Sequence, residues 1–230
     1  MVHFTLFGIP VYIRPSFWVV LAIFGGALSI SSVEDLIYPA LFVIAGFVAI
    51  LSHEMGHALV GRKLGGGQQT IVLDIFGGLT SSHGMQLTRG GRALMILAGP
   101  MMTLLLGIIS LGLTWNIVAP VMTSYNLNFW DLAISPFTAA LISPKLYILS
   151  CLIMIGEWWT ILNLLPIYPL DGGQLIAQYI RSPRKVFMTG FITAILIGLL
   201  SFQLFHGYFI PIFMALFAYS NYREYKNAPF

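Results

Sequence analysis

The chain has 230 residues, 58% of them hydrophobic and only 8% charged, whereas a soluble domain carries about a quarter charged residues. So few charges cannot coat a water-soluble globule, and the apolar residues fall in runs of the roughly 20-residue length that crosses a bilayer as a helix. The formal charge of +3 does not point to nucleic acid, because the basic residues sit at the ends of apolar runs, where positive charge orients membrane helices.

In chain order, the runs predict an all-α polytopic membrane protein of about six transmembrane helices. They lie near Ser16–Ile30, Pro39–Val60, Ala93–Val118, Leu146–Leu165, Val186–Phe205 and, shorter, Tyr208–Tyr219. The first run is not a cleavable signal peptide: it lacks a small-residue cleavage site, and Gly8-Ile9-Pro10 and Arg14-Pro15 precede it. Between the second and third runs, Gly65-Gly66-Gly67 leads into QQTIVLDIFGGLTSSHG. Its β-branched residues and glycines predict a short re-entrant β segment. Between the fourth and fifth runs, Pro166, Pro169, Gly172 and Gly173 in NLLPIYPLDGGQ interrupt any helix. Broken backbone at membrane depth is tolerated where it is buried in protein or lines a cavity. Cys151 is the single cysteine, so no internal disulfide forms. No repeat or second domain is visible, and residues 1–230 read as one integral membrane domain.

Loop charges orient the bundle. With the N-terminus in the cytoplasm, that side receives every Lys and Arg except Lys145, while Glu34, Asp35 and Asp131 fall outside. The positive-inside rule then places both termini in the cytoplasm.

The chemistry sits in the second run, at His53-Glu54-Met55-Gly56-His57. Histidines at i and i+4 share one helix face, so two imidazoles reach one ion. Glu54, beside the first histidine, is placed to take a proton from a water. At 1.5 Å per residue from Arg62, His53 lies about 14 Å deep. Ionisable groups at that depth cost several kcal/mol each unless paired or ligated, and they mark function. A catalytic zinc needs a third protein ligand, and the candidates are Asp171, Glu157, Asp74, His83 and His206. Asp171 is the preferred one, because prolines before it and glycines after it can aim its carboxylate into the bundle. Its bland alternative is capping a helix that starts near Gly172. Glu157, beside Trp158 and Trp159, reads as a structural group or as a partner for a ligating histidine. His206 reads as interfacial, and the two tryptophans as packing.

HEMGH at residues 53–57 and NLLPIYPLDGG at residues 163–173 together resemble the site-2 protease family of intramembrane zinc metalloproteases. The second segment fits that family's N-x-x-P-x-x-P-x-D-G pattern at every fixed position. The resemblance implies one zinc per chain held by His53, His57 and Asp171, with Glu54 as the catalytic acid and base. It also implies that Asn163 binds substrate. Phe76-Gly77-Gly78 is similar to a glycine-bearing β segment of the family, which makes Gly77 and Gly78 candidates for substrate contact. Ala98-Gly99-Pro100 is similar to the motif opening the third span, but Met101-Met102-Thr103 lacks the asparagine often found after it. The expected activity is cleavage of a peptide bond within or near the transmembrane helix of a membrane-anchored regulatory protein. An exposed strand edge around Ile71–Leu79 would pair with the unwound substrate. Expected surroundings are the lipid bilayer, multi-pass in the cell membrane, with a regulatory membrane protein as a further candidate partner. The chain looks like a minimal core without PDZ or CBS domains. The alternatives are a metal-ion transporter, against which the absence of internal repeats weighs, and an inactive membrane scaffold.

Overall fold

The computed structural model describes residues 1–75, 77–125, 130, 133 and 135–229, so Phe76 and Asp131 lie outside the described residues. Two compact units form, Met1–Thr160 and Ile161–Phe230.

The first unit begins with strands rather than a helix: β1 (Val2–Leu6) and β2 (Ile9–Ile13). They pair antiparallel, with Leu6 opposite Ile9. Phe7 and Gly8 between them have φ of 50° and 75°. Two positive-φ residues give the tight turn whose twist matches that of the flanking strands. β3 (Gln68–Asp74) and β4 (Gly77–His83) form a second antiparallel hairpin. β2 joins β3 in parallel, with Val11 opposite Ile71, and the sheet order is β1-β2-β3-β4. The expected short β segment is therefore half of a four-stranded sheet, and the all-α expectation is corrected to that extent. Pro10 lies just outside the parallel register, where its missing N–H costs no ladder bond.

The sheet buries one face. Ile9, Val11, Ile13, Ile71 and Leu73 pack with Phe17 and Leu21 of α1 (Pro15–Phe24) and with Ile50, Met55 and Ala58 of α2 (Ile37–Gly65). It thus backs the turns of α2 that carry His53 to His57. Pro15 stands in the first turn of α1, where its absent N–H would have had no helical partner. α2 stops at Gly66, whose φ of 66° ends the helical path.

α3 (Arg89–Tyr125) lies against α2 at close range. A Cβ on Gly56 would overlap the backbone of Ala98, and one on Gly61 would sit 2.9 Å from Met95 Sδ. Small residues allow such backbone approach between apolar helices. After α4 (Pro136–Ala140) comes α5 (Pro144–Asn163), where Gly156 faces the carbonyl of Thr103 on α3.

In the second unit, α6 (Asp171–Ala177), α7 (Pro183–Phe205) and α8 (Phe209–Asn227) follow the proline-broken segment. Ile167, Ala194, Met214 and Ala218 form its core. Asn221 donates from Nδ2 to the carbonyls of Tyr168, at 2.6 Å, and Phe217, at 2.9 Å. The Tyr168–Pro169 bond is cis. Side chains on Gly172 or Gly173 would run into the backbone of residues 164–168, so the segment folds closely over the start of α6.

Among the described residues, four helices are long and apolar enough to cross a membrane: Ile37–Gly65, Arg89–Ala119, Pro144–Asn163 and Pro183–Leu204. The expected first span is only ten residues in α1, or about 15 Å against a hydrocarbon core of about 30 Å. α8 ends in Asn221, Arg223, Glu224 and Lys226, which lowers its hydropathy.

Candidate metal and catalytic site

One turn of α2 carries three ionisable side chains, and all are buried: His53, Glu54 and His57 are 2%, 5% and 8% exposed. The i, i+4 spacing brings Nε2 of His53 within 3.1 Å of Nε2 of His57. Nδ1 of His57 lies 2.8 Å from the carbonyl of Met95. A carbonyl only accepts, so that contact puts the His57 proton on Nδ1 and turns the Nε2 lone pair towards His53. Two ring nitrogens this close need a proton or a cation between them. Two donors on one tetrahedral zinc, at ~2.0–2.1 Å each, would stand about 3.3 Å apart. The pair fits such an ion.

The close approach of α3 has a chemical consequence. Gly56, inside the H-E-x-x-H sequence, lets Ala98 come near, and the Met95 carbonyl reaches His57. Gly99, one residue past Ala98, faces the imidazoles. A Cβ there would fall on Nε2 of His57 and lie 2.8 Å from Nε2 of His53. Glycine keeps open the space that a shared ion requires.

Glu54 points to the sheet. Thr80 of β4 donates from Oγ1 to its Oε2 at 2.7 Å, and Thr80 Oγ1 also lies 3.1 Å from the Glu54 main-chain carbonyl. Gly78, two residues earlier on the same strand face, leaves no side chain where the Glu54 Cγ, Cδ and Oε1 stand. Gly77 has a φ of 105° and faces the ring of Trp159, which packs beside the core of the first unit. β4 is an edge strand, whereas Ile71–Leu73 of β3 is paired on both sides. The open edge expected around Ile71–Leu79 is therefore that of β4 alone.

Asp171 opens α6 and is 6% exposed. The helix begins one residue earlier than expected and its cap position belongs to Leu170, so Asp171 is not its N-cap. Asn163 ends α5 and is 9% exposed. Glu157 is exposed and, with Leu104, Gly107, Ile108 and Leu111, lines a cavity of about 40 Å³. Among the described residues it belongs to no group of donors able to share an ion. Asp74 is engaged by Arg14 at 2.8 Å, by Ser16 and by the Ile75 N–H. The Ser16 hydroxyl first, then the Ile75 N–H and Arg14, hold its carboxyl below its ordinary value of 3.8. His83 ends β4 and His206 follows α7, both exposed.

Thr80, Met95 and the contact made by Gly99 were not read from sequence. Thr80 is an ordinary β-branched strand residue, and Met95 contributes through a main-chain atom that no sequence pattern reports. Gly99 lay in a recognisable Ala98-Gly99-Pro100 segment, yet nothing there told which side chains it faces.

Residues 41–205 match the family model for peptidase family M50. A zinc metalloprotease of Methanocaldococcus jannaschii is 29% identical over 94% of this chain and 57% of its own length. A putative zinc metalloprotease of Synechocystis is 28% identical over 76% of this chain and 43% of its own length. The chain thus spans about half the length of these relatives. Among solved structures, a site-2 protease from Methanocaldococcus jannaschii covers 97% of this chain and 94% of its own, with a TM-score of 0.59 and 23% identity. That likeness extends to the fold.

Proposed function

The chain belongs to peptidase family M50, and on that premise we propose that it is an intramembrane zinc endopeptidase, cutting a peptide bond within or near the transmembrane helix of a membrane-anchored protein. The four long apolar helices among its described residues and its family make it an integral membrane protein. The observation that carries the proposal is the buried pair of Nε2 atoms 3.1 Å apart, with one ring oriented from behind by a carbonyl. A carboxylate stands on the next residue.

We assign His53, His57 and Asp171 as the zinc ligands, one ion per chain. Two neutral imidazoles and one carboxylate make a donor set suited to a catalytic zinc. When bound, zinc polarises the scissile carbonyl and lowers the pKa of a coordinated water. The chain's own residues handle position and protons. Glu54 takes a proton from the attacking water and returns it to the leaving amine, the work of a general base that becomes a general acid. The free edge of β4 offers main-chain groups to an unwound substrate segment, by β-addition, with Gly77 and Gly78 at its start. The Asn163 amide is assigned to the substrate backbone. Loop charges support both termini, the 65–92 segment and the Arg181–Lys185 loop on the cytoplasmic side of the cell membrane. The full six-span count belongs to this reading as well.

The test is metal removal. Purified protein stripped by a zinc chelator should lose cleavage of a quenched single-span peptide in detergent, and stoichiometric zinc should restore it. Cleavage that persists in metal-free protein would end the proposal. Zinc uptake into vesicles without any cleavage would favour the transport reading instead.

A further inference from the structure

Resting on the proposed part of Glu54 in that reading, we propose that Thr80 is the positioning residue of Glu54: its hydroxyl commits Oε2, leaving Oε1 as the oxygen that takes and returns the proton. Glu54 directly follows His53 on α2, so its side chain leaves the helix in another direction, towards the sheet. There it meets one strand face. Gly78 and Thr80 alternate with Leu79, which is 63% exposed on the other face, and they stand opposite Leu73 and Ile71 in the β3–β4 register. The two residues treat the two carboxylate oxygens differently. At Oε2, Thr80 supplies an O–H donor at 2.7 Å. At Oε1, Gly78 supplies only space, since any Cβ there would overlap Cγ, Cδ and Oε1.

This asymmetry matters for a group that must carry one proton between two partners. A hydroxyl has a single hydrogen to give, and of the two Glu54 acceptors in its reach, the main-chain carbonyl at 3.1 Å and Oε2 at 2.7 Å, the nearer, charged Oε2 takes it. The water proton then moves to Oε1 as the water oxygen bonds to the carbonyl carbon. The same proton leaves Oε1 for the amine nitrogen as the C–N bond breaks. Without Thr80 the carboxylate can rotate about its last torsion, which is broad for glutamate, and the productive orientation is occupied less often. A misplacement of about 1 Å in a catalytic group can cost on the order of 100-fold.

The bland reading is that Thr80 only satisfies a buried carboxylate. The two readings separate in kinetics. Thr80→Val keeps the shape and removes the hydroxyl; Thr80→Ser keeps the hydroxyl and removes the methyl. Thr80→Ala controls for packing. We expect Thr80→Val and Thr80→Ala to lose about 10–100-fold in kcat on a quenched single-span peptide. KM should stay within about twofold and zinc content near that of the wild type. Thr80→Ser should recover most of the lost kcat. The inference is overturned if Thr80→Val keeps wild-type kcat, if the loss appears in KM, if Thr80→Ser falls as far as Thr80→Val, or if Thr80→Val and Thr80→Ala both lose zinc. Glu54→Gln run alongside separates the two claims. If it still cleaves, the reading of Glu54 itself fails; if it is inactive while Thr80→Val is not, only the role of Thr80 fails.

Discussion

At Gly99 one hydrogen in place of a methyl keeps two imidazole nitrogens accessible to a shared ion. Gly99→Ala would place a Cβ against Nε2 of both histidines, and the His57 ring cannot retreat easily, since it is held from behind by Met95. We expect zinc affinity to fall about 10–100-fold, the size of effect seen when the surroundings of metal ligands are disturbed; a competition titration against a chromophoric chelator reads this directly. The third ligand is tested by a pair of variants. Asp171→Ala should abolish cleavage and sharply lower bound zinc, while Glu157→Gln should leave zinc in place; metal analysis of both proteins decides, and the reverse pattern would refute the assignment. At this scale the sequence was informative about identity and silent about contact. The spacing of His53 and His57 dictates a shared face on any helix, so the pair was legible. Thr80 was not, because its partner is 26 residues away in the chain and only the folding of β4 onto α2 joins them.

Among the elements, the sheet shows where local pattern reading stops. β3 and β4 were visible as β-branched, glycine-punctuated sequence. β1 and β2 were not, because the turn between them uses Phe7 at a positive φ, where Asn-Gly or Asp-Gly would have announced a hairpin. The parallel pairing of β2 with β3 crosses the whole of α2 and leaves no local trace. The junction of sheet and helix also carries a pH dependence. Asp74, bound by Ser16, Ile75 and Arg14, has a folded-state pKa below its ordinary value, so its contribution is complete above about 3.8 and is lost as pH falls through the depressed value. The stability gap between wild type and Asp74→Asn, measured by thermal unfolding in detergent, should therefore be present at neutral pH and close below that point. A gap that stays constant down to the lowest pH would contradict this. In the second unit, Asn221 ties α8 to the segment leading into Asp171. Asn221→Ala removes the donor to two part-buried carbonyls and should destabilise by about 1–3 kcal/mol, at about 0.5–1.5 kcal/mol per bond, with zinc affinity falling in parallel. Unchanged melting and unchanged zinc affinity would show that this tie does not matter.

For the molecule as a whole, composition alone excluded a soluble globule, and the four long apolar helices agree. The count of spans was less legible, because an apolar run does not report how much of it is helical: α1 takes up only ten residues of the first run. Cysteine-accessibility labelling should find residues near Gly66 and Lys185 reactive from the cytoplasmic face and Asp35 from the other; labelling of Gly66→Cys from the outer face would reverse the orientation. If the proposed function holds, the Glu54 carboxylate beside His53 and His57 serves peptide hydrolysis. The direct measurement is cleavage of a single-span peptide by the purified Glu54→Gln variant, with bound zinc determined on the same sample. Zinc should stay near one per chain while the rate falls by about 10²–10⁴-fold, the usual share of general-base catalysis. A zinc-loaded variant that cleaves at the wild-type rate would contradict this role of Glu54.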